Sequence, residues 1–277
     1  MSGVLERTLG ILELLSRHGE GLELATIADT LNIPRSGVHR LLSDLVKCGY
    51  VRQARNQGAY LLTTKLVSMG LSYLSNTGIV DIAQPLLNHL AEISGELVRL
   101  SVVDGERLTW VARAQGARQG LRYDPDMGSD ARLSCSSSGW AWLSTLDADT
   151  GMGMLAKQGL GLPEQFGPNA PTSLHAVMEQ VQITRERGYS ITVDTYSLGL
   201  SAISAPVRLQ GQPAMGVLTI AGPTVRFTEE RMASLATELC SVAAQLAAAS
   251  GASPFFAQSA ASTAAQLAAS RTPIYAP

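Results

Sequence analysis

The chain has 277 residues, of which 45% are apolar, so two average domains with sizeable cores are within reach. Its net charge of −2 decides nothing by itself, and placement of the bases must carry any argument about nucleic acid. Cys48, Cys135 and Cys240 are far apart and odd in number, with no CxxC pair or His-Cys cluster, which argues against a disulfide framework or a zinc site. No metal or cofactor is expected. Glu6 and Glu13 interrupt any basic-then-apolar leader, and the late apolar stretch Met232–Ser250 contains Glu238. Neither a signal peptide nor a membrane span is expected, and a reducing cytoplasm fits.

The chain opens on helical spacing, with Leu5, Leu9, Leu12 and Leu15 ended by Gly19 and Gly21. A short second helix carries Leu24, Ile27, Ala28 and Leu31 on one face. Asn32-Ile33-Pro34 then makes a tight turn, with Pro34 suited to the first turn of a third helix. That helix repeats Val38, Leu41, Leu42 and Leu45 and stops at Gly49. Residues 50–54 and 59–62 read as two strands about the turn Asn56-Gln57-Gly58. Residues 63–73 return to helical spacing, as do residues 81–93 before Gly95.

Texture then changes. Strands are expected at 97–103 and 108–112, joined by Asp104-Gly105, and a third at Leu121–Tyr123. A small-residue loop, Ser134 to Gly139, leads into a helix through Leu146. Residues 173–187 form a helix closed by Gly188, followed by strands at 191–193, 202–207 and 215–220. Thr228 caps a last helix to about Ala248, with Glu229 and Glu230 in its favourable first turn. Residues 251–277 are Ala/Ser/Gln-rich and read as a mobile tail.

The third helix is the first constellation with chemistry. Opposite its apolar side lie Ser36, His39, Arg40 and Ser43, with Arg35 at the flank, and each can donate a hydrogen bond. A short helix, a tight turn and a donor-bearing second helix can enter a major groove. Arg52, Gln53 and Arg55 on the following hairpin are placed to meet phosphates as a wing. An ordinary solvated helix face shows the same pattern, but the basic hairpin that follows at once favours DNA. The candidate DNA contacts are Thr26, Arg35, Ser36, His39, Arg40, Ser43, Arg52 and Arg55.

The runs Leu5-Glu6-Arg7, Ile11 to Leu15, Ile27-Ala28, Ile33 to Leu42, Gly49-Tyr50-Val51 and Tyr60-Leu61-Leu62 resemble the DNA-binding domain of the IclR family of bacterial regulators. Gly188-Tyr189, Gly199 to Val207 and Ile220-Ala221-Gly222-Pro223 resemble the family's effector domain in order and spacing. The resemblance spans roughly residues 4–250. It implies an α+β protein: a winged helix-turn-helix over 1–62, a linker helix over 63–78, a GAF-like antiparallel α/β effector domain over 79–250, and the tail. It also implies a homodimer, or a dimer of dimers, on a pseudo-palindromic double-stranded operator.

Ser134, Cys135, Ser136, Ser137 and Ser138 precede a helix, where free N–H groups and the dipole favour an anion; simple N-capping accounts for such residues equally well. The resemblance makes this loop one wall of an effector pocket, with Thr192, Ala202, Thr219 and Ala221 on the others. Where better-known small-acid sensors of the family carry an acid, a cysteine, a serine and a lysine, this chain has Thr192, Ala202, Ala221 and Trp140. A less polar, larger pocket follows, suited to a small organic acid with an apolar or aromatic end. Arg122 and Tyr123 could reach its carboxylate, although a surface salt bridge is an equal reading for Arg122.

The reading is therefore a ligand-responsive regulator of a catabolic operon, with no enzymatic activity expected. A small-molecule enzyme using Cys135, whose thiol sits at a helix entrance, is the alternative. It lacks a visible second catalytic group. An architectural DNA binder would leave a sensor region of roughly 180 residues unused.

Overall fold

The computed structural model describes residues 3–54, 58–77, 79–123 and 130–249. Arg55, the turn at Asn56-Gln57 and the tail from 251 lie outside the described residues. The chain divides into two compact units, with the boundary between Asn76 and Thr77.

The first unit holds helices α1 (Val4–Ser16), α2 (Leu24–Leu31) and α3 (Arg35–Lys47), strands β1 (Val51–Gln53) and β2 (Tyr60–Leu62), and helix α4 (Lys65–Thr77). Its core collects the apolar stripe of each helix: Ile11 and Leu15, Ile27 and Ala28, and Val38, Leu41, Leu42 and Leu45, closed by Val51 and Tyr60. Burial of such stripes, at roughly 25 cal/mol per Å² of apolar surface, fixes the three helices against one another. Asn32 ends α2 in the left-handed region at φ 50°, a conformation that asparagine tolerates. Pro34 lies at the N-cap of α3, one position ahead of the expected first turn.

β1 and β2 are antiparallel, Val51 opposite Leu62, and Leu22 bridges to Tyr60 on the other edge of β2. Gly21 sets up that bridge. Its φ is +81°, and a Cβ there would stand 2.7 Å from the Tyr60 carbonyl oxygen. The start of α4 is tied to the end of α3. Lys65 Nζ donates to the Cys48 carbonyl at 2.7 Å and lies 4.5 Å above the Tyr50 ring, and Thr63 Oγ1 donates to the Gly49 carbonyl at 2.6 Å.

The second unit begins with α5 (Ile79–Ser94), which continues through Pro85. It is built on five strands: β3 (Leu97–Asp104), β4 (Arg107–Gln115), β5 (Ser190–Val193), β6 (Leu200–Val207) and β7 (Gly216–Pro223). They pair antiparallel in the order β4-β3-β7-β6-β5. One sheet face, with Val98, Leu100, Ile203, Ala205, Leu218 and Ile220, packs on α5 and on α9 (Glu229–Ala249). The other face meets α6 (Ser137–Leu143), α7 (Ala148–Gln158) and α8 (Leu174–Arg187). Helix α9 has the length and hydropathy to cross a membrane, but Met232, Leu235, Leu239, Val242 and Leu246 are spent on the sheet.

Two sequence expectations change here. Leu121–Tyr123 is not a strand, and Leu121 is exposed. Helix α7 was not expected; Asp147 caps it, its Oδ1 accepting from Thr150 N at 2.9 Å. A β-bulge also bears on function. The register of β4 shifts between Leu100/Ala112 and Ser101/Trp110, leaving Val111 as the extra residue. Leu108 and Trp110 therefore face α6, while Ala112 and Ala114 face α5 and α9.

Gly21→Ala is expected to destabilise the first unit by about 1–3 kcal/mol, the usual range for a side chain forced into a strained backbone. The three tryptophans, Trp110, Trp140 and Trp142, all lie in the second unit. Helical circular dichroism should therefore be lost earlier in urea than in wild type, with the tryptophan fluorescence transition unmoved.

Candidate nucleic-acid interface and effector cavity

Helix α3 buries Val38, Leu41, Leu42 and Leu45 and leaves Arg35, Ser36, His39 and Arg40 exposed, with Ser43 half-buried. The donor face predicted from the sequence is the solvent face. No side chain caps its N-terminus, so the first backbone N–H groups are free to meet a phosphate. Thr26 on α2 and Arg52 on β1 are exposed as well. These groups can reach base edges from the helix and phosphates from its flanks.

The cavity of the second unit lies between the sheet and α6 and is closed down to about 20 Å³, room for a single water, so a larger ligand requires its walls to part. Strand pairing builds its floor in two rows. Arg99 on β3 is opposite Thr219 on β7, and Thr219 is opposite Ser204 on β6. In the next row Leu97 is opposite Ala221, Ala221 opposite Ala202, and Ala202 opposite Thr192 on β5. Thr192, Ala202, Thr219 and Ala221, expected on the walls, all line the cavity, as do Tyr123 and Ser136, Ser137 and Ser138.

The serine hydroxyls are mostly engaged within the fold. Ser136 Oγ donates to the Arg132 carbonyl and accepts from Gly139 N at 3.0 Å, acting as the N-cap of α6. The Ser137 and Ser190 hydroxyls lie 2.7 Å apart, and Ser190 Oγ also donates to the Ser137 carbonyl at 2.7 Å. Thr219 Oγ1 and Ser204 Oγ are also 2.7 Å apart.

Four expected residues stand elsewhere. Ser134 is buried behind the wall, its Oγ donating to the Leu160 carbonyl at 3.1 Å. Cys135 is buried beside it, and its carbonyl accepts from Thr195 Oγ1 at 2.7 Å. Burial pushes the Cys135 thiol up to about 11, only partly offset by a hydrogen bond with Ser134, so the thiolate is disfavoured at neutral pH. Trp140 is turned away, its Nε1 donating to the Ser134 carbonyl at 3.1 Å, and it borders a different, larger and more open depression against α8. Arg122 is exposed and outside the cavity lining.

The cavity instead receives Arg99, Trp110, Tyr196 and Leu200, which the sequence reading missed. Arg99 is only 5% exposed. Its guanidinium carbon lies 3.9 Å from the Trp110 ring centroid and 5.7 Å from that of Tyr123. Its Nε and Nη1 have no hydrogen-bond partner, nor has Trp110 Nε1. Desolvation lowers the pKa of Arg99, with Tyr123 opposing, yet a guanidinium keeps its proton. No Asp or Glu lines the cavity among the described residues. Glu96, three residues away on the chain, is held by Arg226 at 2.5 and 2.8 Å. The one signal for Arg99 was a single charge inside the apolar run Leu97 to Val103.

Comparison with known proteins agrees with this division of labour. The IclR helix-turn-helix domain matches residues 4–55, and the C-terminal domain of bacterial IclR transcriptional regulators matches residues 71–248. The HTH-type transcriptional repressor AllR of Salmonella typhimurium is 26% identical over 230 residues, 83% of each chain. The acetate operon repressor of the same organism is 27% identical over 248 residues, 89% of each. Among solved structures, an IclR homologue from Microbacterium hydrocarbonoxydans complexed with 4-hydroxybenzoate superposes with a TM-score of 0.75 at 18% identity, over 90% of both chains being covered (91% of this one, 100% of that). With a family domain matched across more than half its length, and the helix-turn-helix matched ahead of it, the chain belongs to the IclR family of bacterial transcriptional regulators.

Proposed function

We propose that this chain is a ligand-responsive regulator that binds a pseudo-palindromic operator as a dimer, or a dimer of dimers, in the cytoplasm. In this reading it controls a catabolic operon in response to a small organic acid. The observation that carries the DNA half is the solvent-facing row of donors on α3, whose opposite face is locked in the core. One such helix contacts too few bases for specific binding at physiological salt, so two copies are needed. The exposed apolar side chains of α4, Val67, Met69, Leu71 and Tyr73, offer a surface for pairing. An acid with an aromatic end suits a cavity whose walls combine rings and alanines, and a structural relative was solved with 4-hydroxybenzoate. Ligand binding biases two states of the sensor unit, and α4, tied to α3 through Lys65 and Thr63, carries that bias to the reading helix.

His39→Ala and Arg40→Ala should each weaken operator binding by about 1–3 kcal/mol per half-site, doubled in a symmetric dimer, with the circular dichroism spectrum unchanged. Gel-shift titration checks this, and wild-type affinity in the double variant would remove α3 as the reader. Footprinting should show two half-sites rather than one.

The Cys135 alternative requires a nucleophilic thiolate, and a thiol held near 11 is a poor one. Under native conditions at neutral pH, iodoacetamide should modify the exposed Cys48 and spare Cys135. Peptide mass spectrometry reads both sites, and equal labelling would reopen the catalytic reading.

A further inference from the structure

A guanidinium buried in a sheet without an acceptor carries a desolvation penalty of several kcal/mol unless something offsets it. Arg99 meets only part of that need. Its guanidinium lies over the Trp110 ring and is hydrogen-bonded with Tyr123, while Nε and Nη1 are left without a partner. Two of its three nitrogens thus have no partner, nor has the indole N–H of Trp110, and both residues line the cavity. A cluster of donors with one full positive charge, and no acid around it among the described residues, is complementary to one anion.

Another part of the cavity lining is different in kind. Leu200, Ala202 and Ala221 form a small apolar cluster, with Tyr123 and Tyr196 packed against it. The cavity thus has a cationic end and an apolar, ring-walled end. Resting on the sensor reading given above, we propose that Arg99 is the effector-recognition residue, taking the carboxylate of an aromatic monocarboxylate whose ring lies on the Leu200-Ala202-Ala221 cluster between the tyrosines. The single cation sets the single charge. A second carboxylate would find neutral hydroxyls and apolar atoms but no second cation in the lining, so dicarboxylates are disfavoured.

The test uses the full-length protein with benzoate and 4-hydroxybenzoate, each beside its carboxamide, and with terephthalate. Calorimetry and thermal shift read binding to wild type, Arg99→Gln and Arg99→Lys. At least one of the two acids should bind wild type and raise its melting temperature, while the amides and terephthalate bind at least about tenfold more weakly. Arg99→Gln should lose acid binding by at least about tenfold, and Arg99→Lys should recover part of it, since a point charge replaces the fork. Ligand-free Arg99→Gln should melt no lower than wild type, because it removes a buried charge two of whose nitrogens lack an acceptor. A purely structural arginine would instead lower the melting temperature and leave discrimination between acid and amide untouched.

The assignment is overturned if neither acid binds wild type, if the amides bind as tightly as the acids, or if Arg99→Gln keeps wild-type affinity for an acid. The regulator reading is judged separately by the operator gel shift. If wild type binds its operator and a neutral compound raises its melting temperature and releases the DNA, that reading stands and the role given to Arg99 fails.

Discussion

Alternation along β3 sends every second side chain to a sheet face that helices cover, and Arg99 falls on the side of α6. A strand buried on both faces has no aqueous side on which to leave a charge. The architecture around this residue follows from that constraint. The bulge at Val111 brings the Trp110 ring against the guanidinium, and Tyr123 is hydrogen-bonded with it. Arg226 engages Glu96, three residues from Arg99, and also donates to the Leu121 carbonyl at 2.8 Å, close to the segment that presents Tyr123. An arginine that fold stability alone required would have been given that glutamate; here the glutamate is engaged elsewhere.

The first unit shows a related economy of placement. The same heptad-like spacing that buries Val38, Leu41, Leu42 and Leu45 forces His39 and Arg40 outward, so core formation and display of the reading face are one event. The ties from Lys65 and Thr63 to the carbonyls of Cys48 and Gly49 then make the start of α4 move with the end of α3. Those carbonyls lie just past the last turn of α3, where a cation is favoured by the helix dipole.

How much of this was legible in the sequence depends on how local each signal was. The two faces of helix α3 were legible, because a 3.6-residue apolar repeat and a polar opposite face are both written within thirteen residues. Strands β3, β6 and β7 were found, but not which residues faced the cavity. Their near-continuous apolar runs carry no alternation when both faces are buried. The bulge that redirects Trp110 is a property of the pairing, not of β4 alone. Helix α7 was missed although Asp147 and Thr150 mark its cap, because its glycines dilute the apolar repeat. Leu121–Tyr123 was misread as strand from three residues of suitable type, and its tyrosine reaches the cavity from irregular backbone instead. Trp140 was expected in the cavity on the strength of the family position, yet its indole N–H is needed by the Ser134 carbonyl on the far side.

The same locality explains why the serine loop attracted the anion in the sequence reading and Arg99 did not. A run of three serines at a helix start is visible in the chain, whereas the absence of an acid beside Arg99 in the cavity lining, among the described residues, exists only in the folded sheet. Magnitudes decide between them. A helix terminus offers an anion about 0.3–1 kcal/mol, less from a helix of only seven residues, and the Ser136 and Ser137 hydroxyls are already bound to Arg132, Gly139 and Ser190. Hydrogen bonds from a charged donor contribute about 1.5–3 kcal/mol each, and Arg99 has two nitrogens without partners. The serines therefore shape the wall by fastening α6 to β5, and the charge in the floor selects what the wall encloses.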